Sequence, residues 1–251
     1  MYERWQKNPA PGYVMFRAKT EENAANLPPG YIDNLRNTYP ANLLQAYLEG
    51  EFVNLTAGSV YPEFDREANA SAETIQPGEA LHVGMDFNVT KMAAAVHVLR
   101  GSDPHAVAEL VDVFDTPAMI ALLKDRFPKH PIMVYPDASG GSRRSVFASE
   151  SDLSLLKAAG FRVCVDHSNP AVKDRVLAMN AMLHKGGARR YRIHPQHCPT
   201  LVESLEKQAY DKNGEPDKSA GFDHILDAAG YFIAYKYPIK SRVASIAPLR
   251  I

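Results

Sequence analysis

A mixed β-sheet flanked by helices, an α/β fold, is predicted by two features of this chain. Three apolar runs with short connections between them begin at Leu81 ("LHVGMDFN", "KMAAAVHVL" and "HAVAELVDVF"), and short connections make neighbouring strands antiparallel. From Thr116 onward the pattern changes to alternating helix and strand, which adds parallel units to the same sheet. Residues 1–75 are different in character. Prolines and asparagines recur there (NPAPG, NLPPG, TYPAN), so an irregular helical extension is predicted ahead of a sheet domain over 76–251.

Within the extension, "PPGYIDNLRNTYP" predicts a helix starting near Tyr31. "PANLLQAYLEGEF" predicts a second that stops at Gly50, and "SAETIQPGEA" reads as a linker. Thr116 is read as the cap of the first helix of the sheet domain, with Pro117 at its first position. "PIMVYPD" is a strand bounded by prolines, and "SDLSLLKAAG" a helix closed by Gly160. "FRVCVDH" is a strand, "AVKDRVLAMNAMLHKGG" a helix ending in glycines, and "RRYRIHP" a short edge strand. "CPTLVESLEKQAY" is a helix, "DKNGEPDKSAG" a polar turn or hairpin, and "FDHILDAAGYFIAY" the last helix. The order β-β-β-α-β-α-β-α suits a ribonuclease H-like architecture. A Rossmann domain would begin βαβ with a glycine fingerprint in its first turn.

Composition narrows the function classes. The 251 residues are 45% hydrophobic and 23% charged, with a formal net charge of −1. An anionic partner would therefore have to be bound by local basic patches. Cys164 and Cys198 have no zinc-ligand spacing and suggest no disulfide framework, so a reducing cytoplasm is expected. The first residues lack an apolar signal-peptide core, and no run nears the roughly 20 apolar residues of a membrane span. No membrane partner is expected.

The last helix is apolar, yet Asp223, His224 and Asp227 sit in its first turns. Asp86 ends the first strand and Asp137 the fourth. If those strands are parallel neighbours, both carboxylates reach one edge of the sheet, where open α/β sheets bind ligands. Asp223 and Asp227, one turn apart, would share a helix face across that edge. Converging carboxylates repel one another, and a divalent cation removes the conflict. Oxygen-only ligands favour Mg²⁺ or Mn²⁺, and two such ions about 3.5–4 Å apart can drive phosphodiester hydrolysis. Each residue also has an ordinary reading: Asp223 as a helix cap, Asp227 as a first-turn carboxylate, Asp137 as a turn residue. Asp86, a charge directly after an apolar strand, is hardest to explain that way. His224 orients a metal-bound group or simply occupies a polar first turn. Asp166 and His167 are reserve ligands, better read as a loop entry. Asp103, Asp112, Asp115 and Asp152 read as turn, surface or cap residues.

"ASGGSRRS" after Asp137 offers a Gly-rich turn to phosphate, with Arg143 and Arg144 beside it. It is not a Walker A loop, and no P-loop occurs in the chain. Lys173, Arg175, Arg189, Arg190 and Arg192 are further candidate phosphate contacts. The absence of a GxSxG elbow, and of a convincing partner for either cysteine, argues against a nucleophilic hydrolase.

"HVGMDFN", "VYPDASGG" and "FDHILDAAGYFI" together resemble the nuclease domain of the large terminase subunit of tailed bacteriophages. The last is the most specific, with Asp-His, two residues, Asp-Ala and then an aromatic. "RVLAMNAML" and "YRIHPQHCPTLVESLEKQAYDKNGEPDK" are also similar to that family, and the resemblance covers about residues 80–237. It implies a ribonuclease H-like, two-metal endonuclease that cuts concatemeric viral DNA during packaging in the host bacterial cytoplasm. Asp86, Asp137 and Asp227 would be the principal ligands of Mg²⁺ or Mn²⁺, with Asp223 and His224 accessory. The hairpin at Asn213-Gly214, with Lys212 beside it, would lie near the double-stranded DNA. The family implies a terminase small subunit and a portal protein as partners. "TEENAANLPPGYIDNLRNTYPANLLQAYLEGEF" is similar to the segment joining a terminase's ATPase to its nuclease. The ATPase core itself is expected on a missing segment or a separate chain. Two alternatives remain open: another ribonuclease H-like nuclease, such as a junction resolvase, and a non-catalytic domain docking on DNA or the portal.

Overall fold

The computed structural model describes residues 16, 18–33, 48, 58–88, 91–138, 151–211 and 213–239. The chain divides into two compact units, Met1–Ala57 and Gly58–Ile251. In the first, Thr20–Asn26 forms a 3-10 helix, with the Glu22 carboxylate accepting from the Lys19 amide at 3.3 Å. Helical residues begin at Tyr31, and the remainder of that expected helix lies outside the described residues. So does nearly all of the one expected over 40–52.

The second unit holds a six-stranded sheet in the order β5-β4-β1-β2-β3-β6. Its strands are β1 (Leu81–Asp86), β2 (Met92–Arg100), β3 (Asp103–Val113), β4 (Ile132–Pro136), β5 (Arg162–Val163) and β6 (Arg192–Ile193). The helices are α1 (Thr116–Arg126), α2 (Asp152–Ala158), α3 (Val172–Leu183), α4 (Pro199–Lys207) and α5 (Asp223–Lys236). β1, β2 and β3 pair antiparallel, while β4 pairs parallel to β1, β5 parallel to β4 and β6 parallel to β3. This is the mixed sheet that the sequence predicts, with RRYRIHP at an edge.

The period of two along β1 sorts its side chains to opposite faces. Leu81, Val83 and Met85 join the core beneath α1 and α2, with Met119, Leu123 and Leu156. The other face carries the core built by α3, α4 and α5, including Met179, Leu201, Leu205 and Phe232. Residues 58–70, read from the sequence as part of the extension, pack on this second face, while Ile75 joins the first. The Val60 amide donates to the Gln208 carbonyl, Ala70 bridges to Ile193, and the buried Asn69 amide donates to the carbonyls of Leu183 and Tyr191 at 2.9 Å each.

One cap differs from expectation. Asp115, not Thr116, caps α1, its carboxylate accepting from the Ala118 amide at 2.8 Å. The freed Thr116 hydroxyl instead donates to the buried Asp152 at 2.7 Å and ties α1 to α2. Ser151 caps α2, so Asp152 acts as an inter-helix acceptor. Both cysteines are free thiols. No helix among the described residues is long and apolar enough to cross a membrane.

Candidate metal centre

Two steps along a strand advance about 6.8 Å, and four along a helix about 6.0 Å. A helix running against a strand can therefore match every fourth residue to every second one. α5 does this on β1. The His82 ring lies 5.5 Å from that of Phe232, Gly84 lies against Ala228, and Asp86 faces His224. Gly84 sets the spacing. A Cβ there would sit 2.0 Å from the Ala228 carbonyl oxygen, so only glycine lets α5 come this close to the sheet. The small Ala93 and Ala95 of β2 continue the same floor. Seated so, α5 brings its N-terminal end, the positive end of its dipole, over the carboxyl ends of β1 and β4.

The residues at that edge are coupled. Asp86 is buried, and its carboxyl is pushed up to about 6: burial acts most, the negative charges of Asp227 and Asp137 add to it, and His224 partly offsets them. His224 Nδ1 lies 3.4 Å from Asp86 Oδ2 and 4.0 Å from Asp223 Oδ2, and the Asn88 side-chain amide lies 3.1 Å from the same nitrogen. Asp137 accepts from the Asn169 amide, whose oxygen in turn accepts from the Ala138 backbone at 2.7 Å. Asp227 Oδ1 accepts from Arg175 at 2.6 Å. Asp223 is not a cap. Phe222 occupies that position, and Asp223 is the first helical residue. It is 7% exposed, its Oδ1 has no hydrogen-bond partner, and its Oδ2 is 3.9 Å from Lys218 Nζ.

The five residues predicted from the sequence, Asp86, Asp137, Asp223, His224 and Asp227, thus meet at one edge. Asp166 and His167 are exposed in the loop after β5. Lys173 is exposed on α3, as a phosphate contact must be. Arg175 corrects its expected role: it is buried and ion-paired to Asp227, so as it stands it does not offer its charge at the surface. Arg189 and Arg190 are likewise occupied, by Asn69 and the Glu63 carbonyl and by Asp103 respectively. Arg143, Arg144 and Lys212 lie outside the described residues. Near Lys212, the Asp211 side chain accepts from the amides of Asn213 and Glu215, and Tyr210 bridges to Pro216. Sequence reasoning missed three residues of the site and gave a fourth, Arg175, another role. Asn88 and Asn169 carry no recognisable signal. Gly84, a glycine inside an apolar strand, carries a faint one.

An oxygen-rich set around a buried, partnerless carboxylate oxygen fits a hard divalent cation. The set is not yet arranged as a ligand cage: among the described residues no three His, Cys, Asp or Glu side chains are placed to hold one ion. Two of the carboxylates are instead engaged by Arg175 and Asn169.

A mixed sheet with an acidic edge defines a class, the ribonuclease H-like fold. The match of residues 83–236 to the Terminase RNaseH-like domain places this chain in that family. Residues 1–68 match the N-terminal model of the T4-like-virus type of terminase large subunit. No curated protein matches the chain. Among solved structures, the large terminase of a thermophilic bacteriophage is 19% identical with a TM-score of 0.54, over 85% of this chain and 53% of its own. The chain therefore spans about half the length of that relative. The nuclease domain of the P22 large terminase is 16% identical (TM-score 0.54, 70% of this chain and 90% of its own). The large terminase nuclease of thermophilic phage G20c, solved with bound magnesium, is 14% identical (TM-score 0.51, 71% and 98%).

Proposed function

We propose that this chain is a metal-dependent DNA endonuclease that cuts concatemeric viral DNA during genome packaging. The observation that carries the reading is the convergence of Asp86, Asp137, Asp223 and Asp227 where α5 crosses β1 and β4, with Asp223 Oδ1 buried and unpartnered. Asp86, Asp137 and Asp227 would hold Mg²⁺ or Mn²⁺, two ions per site, with Asp223 supporting. Such ions supply an activated water and charge neutralisation at the leaving oxygen. The chain's own part is to gather the carboxylates on rigid elements and to hold His224 beside Asp86. Exposed Lys173 and the hairpin at Asn213-Gly214 would face the DNA backbone. Family membership supports work alongside an ATPase, a small subunit and a portal, in the host bacterial cytoplasm.

The engagement of Asp227 by Arg175 and of Asp137 by Asn169 favours a second reading, a docking domain that keeps the fold without cutting. Cleavage of supercoiled plasmid separates the two. Wild type is expected to nick and linearise DNA with Mn²⁺ or Mg²⁺ and not with EDTA, and folded Asp86→Ala to lose at least about a hundredfold in rate, as for removal of a principal electrostatic group. Unchanged cutting by Asp86→Ala would remove the assignment of this site. Absence of cutting by metal-loaded wild type that binds DNA would favour docking.

A further inference from the structure

Arg175 projects from α3 into the edge of the carboxylate site. Its side chain is 7% exposed, against 22% for Asp227. Besides the 2.6 Å bond to Asp227 it reaches the Pro170 carbonyl at 3.4 Å, and its guanidinium lies 4.6 Å from the Tyr231 ring centre. Guanidinium does not deprotonate in proteins, so a buried one requires a permanent counter-charge. Among the described residues, Asp227 is the carboxylate that supplies it. Asp227 in turn belongs to a group of acids whose charges oppose one another.

We infer that Arg175 is a positioning residue that serves as the resident cation of this site. It holds Asp227 at the inner face of α5 while no divalent ion is bound, and loosens its hold when an ion enters. This rests on the metal-site reading above. Two consequences follow from charge alone. Arg175 lowers the repulsion among the acids in the metal-free protein, and it opposes entry of a divalent ion by like-charge repulsion in a poorly solvated setting. Because Arg175 belongs to α3 and Asp227 to α5, loading of the site also changes the contact between those helices.

Calorimetric titration of the full chain with Mn²⁺ tests this. Arg175→Gln removes the charge and is expected to bind Mn²⁺ at least about tenfold more tightly than wild type, whereas Arg175→Lys keeps the charge and stays within about threefold. An Arg175→Gln protein that binds no more tightly than wild type overturns the inference. Should that variant fail to fold, the wild type still decides. The ¹⁵Nε signal of Arg175, identified by its loss in Arg175→Lys, should shift as Mg²⁺ is added, and an unmoved signal at saturating Mg²⁺ overturns the inference. Asp86→Asn keeps the two readings apart. If wild-type Mn²⁺ binding is absent, or is unaltered by Asp86→Asn, the metal site itself falls. If binding depends on Asp86 but not on the charge at position 175, only the role of Arg175 falls.

Discussion

Asp227 carries two duties, and they make its replacement costly for different reasons. Truncating one partner of a buried ion pair leaves the other charge unsolvated, at about 3–5 kcal/mol. Asp227→Ala should therefore destabilise the fold by about 3 kcal/mol, toward the lower end of that range because Asp227 keeps some solvent contact. Removing both charges in Asp227→Ala/Arg175→Met should recover most of that loss. Asp137 has a different partner. Asn169 lies in an exposed loop and can return to water, so Asp137→Ala should change stability by less than about 1 kcal/mol. Urea unfolding of the variants checks this contrast. Equal losses for the two single replacements, or no recovery in the double variant, would show that Arg175 does not depend on Asp227.

The packing of α5 on β1 belongs to the element scale, and Gly84 is its sensitive point. In Gly84→Ala the new methyl meets the backbone of Ala228, which cannot rotate aside. The helix must lift, at about 3 kcal/mol or more, and Asp223, His224 and Asp227 lift with it. Loss of Mn²⁺ binding together with lowered urea stability is the expected outcome. An unperturbed Gly84→Ala protein would mean that the close approach is not what seats the site. Part of this was legible in the sequence. The apolar run "LHVGMD" marked a strand, and the spacing of Asp223 and Asp227 marked one helix face; that both faces of the strand are buried came only with the helices laid on either side. Which neighbour each charge would choose was not legible, because that depends on contacts distant in sequence. Arg175 reads as a surface cation until α5 is laid beside α3. Asp115 and Thr116, both good caps and adjacent, differ only in which can reach a distant partner; Thr116 finds Asp152, and Asp115 is left to cap.

Across the whole molecule, the core behind the site contains two buried histidines. His97 is fully enclosed, with Nδ1 on the His82 carbonyl at 3.1 Å and Nε2 near the Tyr191 hydroxyl at 2.9 Å; burial lowers its pKa to about 3. His82, beside the Tyr135 hydroxyl at 2.7 Å, is lowered by burial to about 4. Both titrate below their unfolded value of about 6.5, so the unfolded chain takes up the protons first. The stability associated with these neutral rings is complete above about pH 6.5 and declines as the pH falls toward the folded values. Between pH 7.5 and pH 5, wild type should lose about 2 kcal/mol more than His97→Gln, read from urea unfolding at each pH. Parallel losses would mean that His97 is not held neutral.

A tightly seated helix carries two acids and a histidine to the edge where two parallel strands end in acids. This is the edge proposed to bind the catalytic cations. The most direct measurement is the anomalous difference density of crystals grown with Mn²⁺. Two peaks at this edge, with Asp86, Asp137 and Asp227 among their ligands, are predicted. Well-ordered crystals at saturating Mn²⁺ with no peak at this edge, or with manganese held only by other residues, would contradict the proposal.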